Sequence, residues 1–82
     1  MSKYTLASGS IAKVKRQDIF TSPRHGLVYV YYVENVTRPF LFCEAWVYAS
    51  GKRNSSVESH GDIDLDAKEV IEAAEMHHTA IA

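Results

Sequence analysis

Three aspartates at alternate positions are the first residues whose spacing could bind a ligand. Asp62, Asp64 and Asp66 offer carboxylates in the pattern that opens a calcium-binding loop. The sixth position of such a loop needs a glycine and the twelfth a bidentate glutamate, but the chain has Ala67 and Ala73 there. We therefore assign the three aspartates to a loop and a helix N-terminus, and we predict neither a metal site nor a cofactor.

The histidines and the cysteine give no better indication of chemistry. His77 and His78 are adjacent, so they point about 100° apart on a helix and cannot bind one ion together. Cys43 is the single cysteine and stands between apolar neighbours, which predicts a buried structural thiol. No glycine-rich phosphate loop or nucleophile elbow is present. We predict that the protein is not an enzyme.

Basic residues in the first half of the chain indicate a different chemistry, the binding of nucleic acid. Residues 1–38 carry a net charge of about +4 and residues 39–82 about −5, although the whole chain is close to neutral. Aromatic side chains on neighbouring strands would give bases a surface on which to stack. The candidate phosphate-binding residues are Lys13, Lys15, Arg16, Arg24 and Arg38.

The elements that position these residues are organised around two apolar runs, residues 27–36 and 40–49. Both runs are β-branched and aromatic, and a proline-containing break separates them, which predicts adjacent antiparallel strands. Successive side chains point to opposite faces of a sheet, and in both runs both faces are apolar. Two further strands are predicted, one within residues 11–20 and a possible edge strand over residues 55–60.

The last element has the clearest signal, a helix over about residues 66–80. Asp66 and Glu69 have the spacing of a capping box, with Leu65 and Val70 placed for a hydrophobic staple. The helical period predicts a narrow apolar stripe, formed by Ala67, Val70, Ile71, Ala74, His78 and Ile81. Such a helix can cover one face of the sheet only.

One face of the sheet is therefore predicted to be open and aromatic. Exposed aromatic patches usually mark interaction surfaces, and Trp and Tyr dominate binding hot spots. The alternative is that the N-terminal segment folds over this face and completes the core. The candidate partner-binding residues are these aromatics together with acidic residues of the second half: Tyr29, Tyr31, Phe42, Trp46, Tyr48, Asp62, Asp64, Glu72 and Glu75.

Three strands followed by a helix resemble the later part of the double-stranded-RNA-binding domain. Ala67-Lys68 and Ala73-Ala74 match the Ala-Lys and Ala-Ala steps in the last helix of that family. The resemblance covers about 40 residues and implies a β-β-β-α topology and RNA binding. Where the family has Ser-Lys-Lys before its helix to bind phosphates, this chain has Asp62, Asp64 and Asp66, so those binding residues do not carry over.

The sequence thus predicts a single α+β domain, with a three- to four-stranded antiparallel sheet and one C-terminal amphipathic helix on one face. The predicted function is non-catalytic binding of another protein, including a second copy of the chain. A phage or mobile-element inhibitor that docks on a larger host complex is one form of this hypothesis, and nucleic-acid binding is the alternative. No apolar run is long enough to span a bilayer, and no secretory signal is evident, so we expect a cytoplasmic protein.

Overall fold

A computed structural model describes residues 1–37 and 40–81. The described residues form an antiparallel sheet of five strands in sequential order, followed by one helix. The strands are β1 (Ser2–Thr5), β2 (Ile11–Ser22), β3 (Gly26–Asn35), β4 (Phe42–Tyr48) and β5 (Ser56–Ser59), and the helix is α1 (Ala67–Ile81). The α+β class and the antiparallel sheet with a C-terminal helix are as predicted.

The prediction of three to four strands was wrong, because β1 is a fifth strand. It has only four residues, and Tyr4 is the single large apolar one, so the alternation of a half-buried strand has no room to show. Backbone pairing with the start of β2, from Thr5 opposite Ile11 to Ser2 opposite Val14, forms the strand instead. This pairing between strands is not visible in the short apolar pattern of β1 itself.

The second strand is much longer than the strand that pairs with its outer edge. β1 pairs with residues 11–14 of β2 only, whereas β3 pairs with residues 12–22 of β2. The register of β2 against β3 shifts between Arg16 and Asp18, where one extra residue forms a bulge. The outer edge of β2 from Lys15 onwards therefore has no strand beside it within the described residues.

The register of β3 against β4 decides which side chains share a face. Tyr31 pairs with Ala45 and Val33 with Cys43, so the odd-numbered residues of both strands lie together, under the helix. The even-numbered residues of both strands lie on the other face. The core under the helix is built from the residue after β1, from β2 to β4, from the segment before the helix and from α1. Its buried members are Leu6, Ala12, Val14, Tyr31, Val33, Cys43, Ala45, Val47, Ile63, Leu65, Val70, Ala73 and Ala74.

The helix begins with the predicted capping box. The Glu69 backbone N–H donates to the Asp66 carboxylate at 2.8 Å, and the Asp66 N–H donates to the Glu69 carboxylate at 3.2 Å. These two bonds satisfy donors that have no partner within the helix.

The buried stripe of the helix differs from the predicted stripe by a small rotation. Val70, Ala73, Ala74 and His77 are buried, whereas Ala67 and Ile81 are exposed. The rotation turns His77 towards the sheet, where its ring packs against Tyr4 and Tyr31. Small alanine side chains let the rest of the helix lie close to the strands, and the thiol of Cys43 is fully buried there.

A close backbone approach connects the end of the sheet to the segment that precedes the helix. A Cβ atom built on Gly61 would lie 2.3 Å from the backbone oxygen of Phe42, so a side chain at this position forces the backbone to move. The Gly61 carbonyl also accepts a weak hydrogen bond from the Cys43 thiol, at 3.9 Å. Glycine at position 61 therefore allows β4 and the segment before the helix to pack together.

We expect Gly61→Ala to lower the free energy of unfolding by about 1–3 kcal/mol, the usual cost of inserting a methyl group into a close-packed contact. Urea denaturation of the variant, followed by the fluorescence of Trp46, measures this change. Ser59→Ala, at an exposed position two residues earlier, is the matched control and should leave the unfolding midpoint almost unchanged. An unaltered midpoint for Gly61→Ala would show that the contact with Phe42 is not a constraint.

Candidate docking surface

The sheet face away from the helix is not covered by any other helix or strand of the described residues. We call it the open face, and strand register assigns to it Lys3 and Thr5 from β1, Ile11, Lys13, Lys15, Asp18, Phe20 and Ser22 from β2, Gly26, Val28, Val30, Tyr32 and Glu34 from β3, Phe42, Glu44, Trp46 and Tyr48 from β4, and Ser56 and Ser59 from β5. The N-terminal segment does not cover it. β1 lies at the sheet edge, and its Tyr4 turns to the helix side, where it contacts His77.

Aromatic side chains form a layer of two ring pairs along the middle of the open face. The rings of Tyr32 and Phe42 are stacked, with centroids 4.3 Å apart and planes inclined by 19°. Phe20 meets the Trp46 ring edge-on at 5.0 Å. Phe42 is 41% exposed, and the other three rings are half-buried. The layer therefore presents apolar surface to solvent while its members hold one another in place.

Two valines of β3 are buried beneath this aromatic layer. Val28 lies in register between Phe20 and Tyr48, and it is fully buried although no helix covers it. Val30 lies in the same way between Asp18 and Trp46. The aromatic rings thus cover the aliphatic side chains of their own sheet, which makes the surface a fixed shape rather than a set of free side chains.

Tyr48 is part of the support of the open face and is itself buried. It is 5% exposed, because the His25 ring packs edge-on against it at 5.2 Å and the Arg53 guanidinium lies 5.0 Å from its ring centre. Its hydroxyl is 3.3 Å from the Ser56 hydroxyl. The face expected for Tyr48 is correct, but little of its ring is available for contact.

The expected place of Tyr29 and Tyr31 was wrong. Both were grouped with the aromatic face, but the register opposite Val47 and Ala45 places them under the helix. Tyr31 is fully buried, and its hydroxyl lies 2.6 Å from Nδ1 of His78. The sequence of one strand does not show which of its two faces lies beside a given face of the neighbouring strand. The error arose because the register between β3 and β4 is not visible in the sequence.

Most of the acidic partner-binding candidates are also placed away from the open face, and several hold the helix to loops. Glu72 accepts a hydrogen bond from the Ala7 backbone N–H at 2.9 Å, and Glu75 accepts one from the Ser55 hydroxyl at 2.9 Å. Asp64 accepts from the Thr37 hydroxyl at 2.6 Å. Asp62 is exposed in the segment before the helix. Glu72 and Glu75 lie on the helix and are not continuous with the aromatic layer.

The basic candidates for nucleic-acid binding do not form one surface. Lys13 and Lys15 lie on the open face, and the Lys15 ammonium is 5.7 Å from the centre of the Tyr32 ring. Arg16 pairs with Tyr31 and so lies on the helix side. Arg24 is in the turn between β2 and β3, and Arg38 is outside the described residues.

A concave pocket at one end of the open face was missed by sequence reasoning. It has a volume of about 500 Å³ and lies between the β2–β3 turn and the β4–β5 loop. We call it the end pocket, and it is lined by Arg24, His25, Gly26, Ser50, Lys52 and Arg53. The residues come from two polar loops about 25 positions apart in the sequence, so only the hairpin pairing of β3 and β4 brings them together.

Under the helix, a cluster of tyrosines and histidines fixes the C-terminal half of α1. The Tyr4 hydroxyl lies 2.6 Å from Nδ1 of His77, and the Tyr29 ring packs edge-on against His78 at 4.7 Å. Burial, with a smaller effect of the Arg16 charge, lowers the pKa of His77 below its ordinary 6.5. Burial also raises the pKa of Tyr31 from 10.0 to about 12. Both side chains are therefore held neutral at pH 7.

The residues described, 1–37 and 40–81, contain no group of three or more His, Cys, Asp or Glu side chains placed to hold a metal ion. In the same part of the chain, no helix is both long and apolar enough to cross a membrane. Comparison with known proteins gives no match: no family model, no curated protein and no solved structure is significantly similar to this chain. The open face and the end pocket are therefore interpreted from their chemistry.

The two pKa shifts predict a loss of stability at both ends of the pH range. Below about pH 6.5 the unfolded chain takes up a proton that buried His77 resists, so the free energy of unfolding should fall as the pH falls. Between about pH 10 and 12 the unfolded chain releases the proton that folded Tyr31 keeps, so stability should fall as the pH rises. Urea unfolding at a series of pH values measures both changes.

Tyr31→Phe tests the alkaline part of this prediction, because phenylalanine has no proton to lose. The variant should lose less stability than the wild type between pH 10 and 12. Tyr32→Phe, which removes a hydroxyl from the open face, is the control and should keep the wild-type profile. An alkaline loss in Tyr31→Phe as large as in the wild type would contradict the assignment.

Proposed function

We propose that this protein is a small non-catalytic binding protein that docks another protein through the open face. One observation carries the proposal: Phe20 with Trp46 and Tyr32 with Phe42 form an aromatic layer of two ring pairs that no other element of the described chain covers. Aromatic surface of this kind is enriched at the centre of protein interfaces.

The scaffold of the open face favours recognition of a preformed surface. The rings rest on buried valines in a five-stranded sheet, so little side-chain freedom is lost when a partner binds. A chain of 82 residues that presents one fixed face acts by occupying a surface of its partner. Inhibition of a larger host complex, as for a phage or mobile-element protein in the cytoplasm, is the specific form of the proposal.

Nucleic-acid binding is the second candidate, and one observation favours it. Lys15 lies over the Tyr32 ring, which is stacked on Phe42, so a cation and a stacking platform are adjacent. The carboxylates on the same face oppose it. Asp18, Glu34 and Glu44 are in register with the aromatic layer and would repel a phosphate backbone. Protein binding is therefore the better supported function.

Substitution of the exposed rings tests the proposal. Phe42→Ser and Trp46→Ser should each weaken the complex with a partner purified from the native source by about tenfold or more, as for aromatic hot spots. Ile81→Ser is the matched control, since Ile81 is 43% exposed and lies on the helix. Isothermal titration calorimetry gives the affinities, and thermal unfolding shows that the variants are folded. Binding that is unchanged in Phe42→Ser and Trp46→Ser would contradict the use of the open face.

Two further measurements distinguish the other occupants of the open face. Light scattering of the protein alone, over a range of concentrations, detects a dimer that Phe42→Ser would dissociate. Binding to oligothymidylate and to duplex RNA at two salt concentrations tests the nucleic-acid candidate, because phosphate contacts weaken steeply with salt. We expect a monomer with no salt-dependent binding to either nucleic acid. Tight, steeply salt-dependent binding would contradict protein docking as the function and support nucleic-acid binding instead.

A further inference from the structure

The end pocket concentrates positive charge next to the aromatic layer. Arg24, Lys52 and Arg53 all line it, and none of its lining residues is acidic. Like charges held together repel one another, and an anion that enters between them relieves this repulsion. The composition of the pocket is therefore that of a binding site for a negatively charged group.

The Arg53 guanidinium is held in place from two sides. Its Nη1–H group donates to Nε2 of His25 at 2.7 Å, and its plane lies over the Tyr48 ring. A guanidinium has five N–H donors, so several remain after the bond to His25. An ordered arginine with free donors binds a carboxylate or phosphate at a lower entropy cost than a mobile one.

The end pocket and the aromatic layer are parts of one surface. Tyr48 connects them, because its ring contacts His25 and Arg53 of the pocket and it is in register with Val28, beneath the layer. Trp46 is two residues from Tyr48 on the same strand and the same face. A chain molecule that covers Trp46 can therefore reach the pocket with the residues that follow in its own sequence.

We infer that the partner segment bound by the open face is an acidic peptide segment, whose apolar side chains pack on the aromatic layer and whose carboxylate enters the end pocket. This inference rests on the proposed function and adds the chemistry of the partner. A carboxylate pairs with an arginine fork in two parallel hydrogen bonds, which fixes the position of the segment on the face.

The charges of the open face favour a peptide over a nucleic acid as the source of the anion. Outside the pocket, the lysines of β1 and β2 are balanced by carboxylates on β2, β3 and β4, so the face as a whole is not basic. A nucleic acid carries a phosphate at every nucleotide and would meet Asp18, Glu34 and Glu44. A peptide can place one carboxylate in the pocket and apolar or basic side chains elsewhere.

The inference is tested by selecting, from a displayed library of random peptides, those that bind the whole protein. We expect the recovered peptides to combine aromatic or aliphatic residues with Asp or Glu. For a synthetic peptide from this set, Lys52→Glu and Arg53→Glu should each reduce the affinity by at least about tenfold, since each replaces an attractive charge with a repulsive one. Replacing the acidic residue of the peptide with its amide should cause a similar loss.

Lys68→Glu is the control for the change in net charge, because Lys68 is exposed on the helix, away from the open face. The affinity of the Lys68→Glu variant for the peptide should equal that of the wild type. An equal loss in Lys68→Glu, or recovered peptides without acidic residues, would overturn the inference while leaving protein docking in place. If Phe42→Ser recovers the same peptides as the wild type, the proposed function itself fails. Oligothymidylate that displaces the peptide and binds more tightly would assign the pocket to phosphate instead.

Discussion

The antiparallel register between β3 and β4 is the constraint on which the rest of the structure depends. It aligns Val33 with Cys43 and Tyr31 with Ala45, so the small and aliphatic side chains of β4 share a face with the odd-numbered side chains of β3. This face, with its small side chains, packs against the alanine-rich side of α1. The opposite parity would place Trp46 under the helix and leave Ala45 in solvent. Because the described residues supply one helix, the choice of the covered face also defines the uncovered one.

An uncovered face of a small sheet normally consists of polar side chains, but this one also carries aromatic rings and valines among its charged residues. The chain stabilises it by local means: aromatic rings cover the valines of β3, and Arg53 and His25 cover Tyr48. The open face is therefore partly a second, shallow core and partly an exposed apolar surface. The same rings that protect the valines are available to a partner, so stability and binding draw on the same side chains.

The sequence predicted the class of fold, the helix and its cap, and the aromatic character of one face. These features follow from local signals: the capping pair Asp66 and Glu69, the helical period, and apolar residues at both parities of two strands. The short first strand, the side occupied by Tyr31 and the end pocket depend on how separate strands pair with one another. No local pattern reports such pairing, because register and loop proximity are properties of the assembled sheet.

The bulge at Arg16–Asp18 has a consequence for how copies of the chain meet one another. Beyond β1, the edge of β2 is a row of main-chain groups onto which a foreign strand could add, and in many proteins such an edge seeds fibrils. Here the extra residue distorts the row, and Lys15, Arg16 and Asp18 bring charge to it. Sheet growth from this side is therefore disfavoured, and the β2 edge is protected against the addition of a foreign strand.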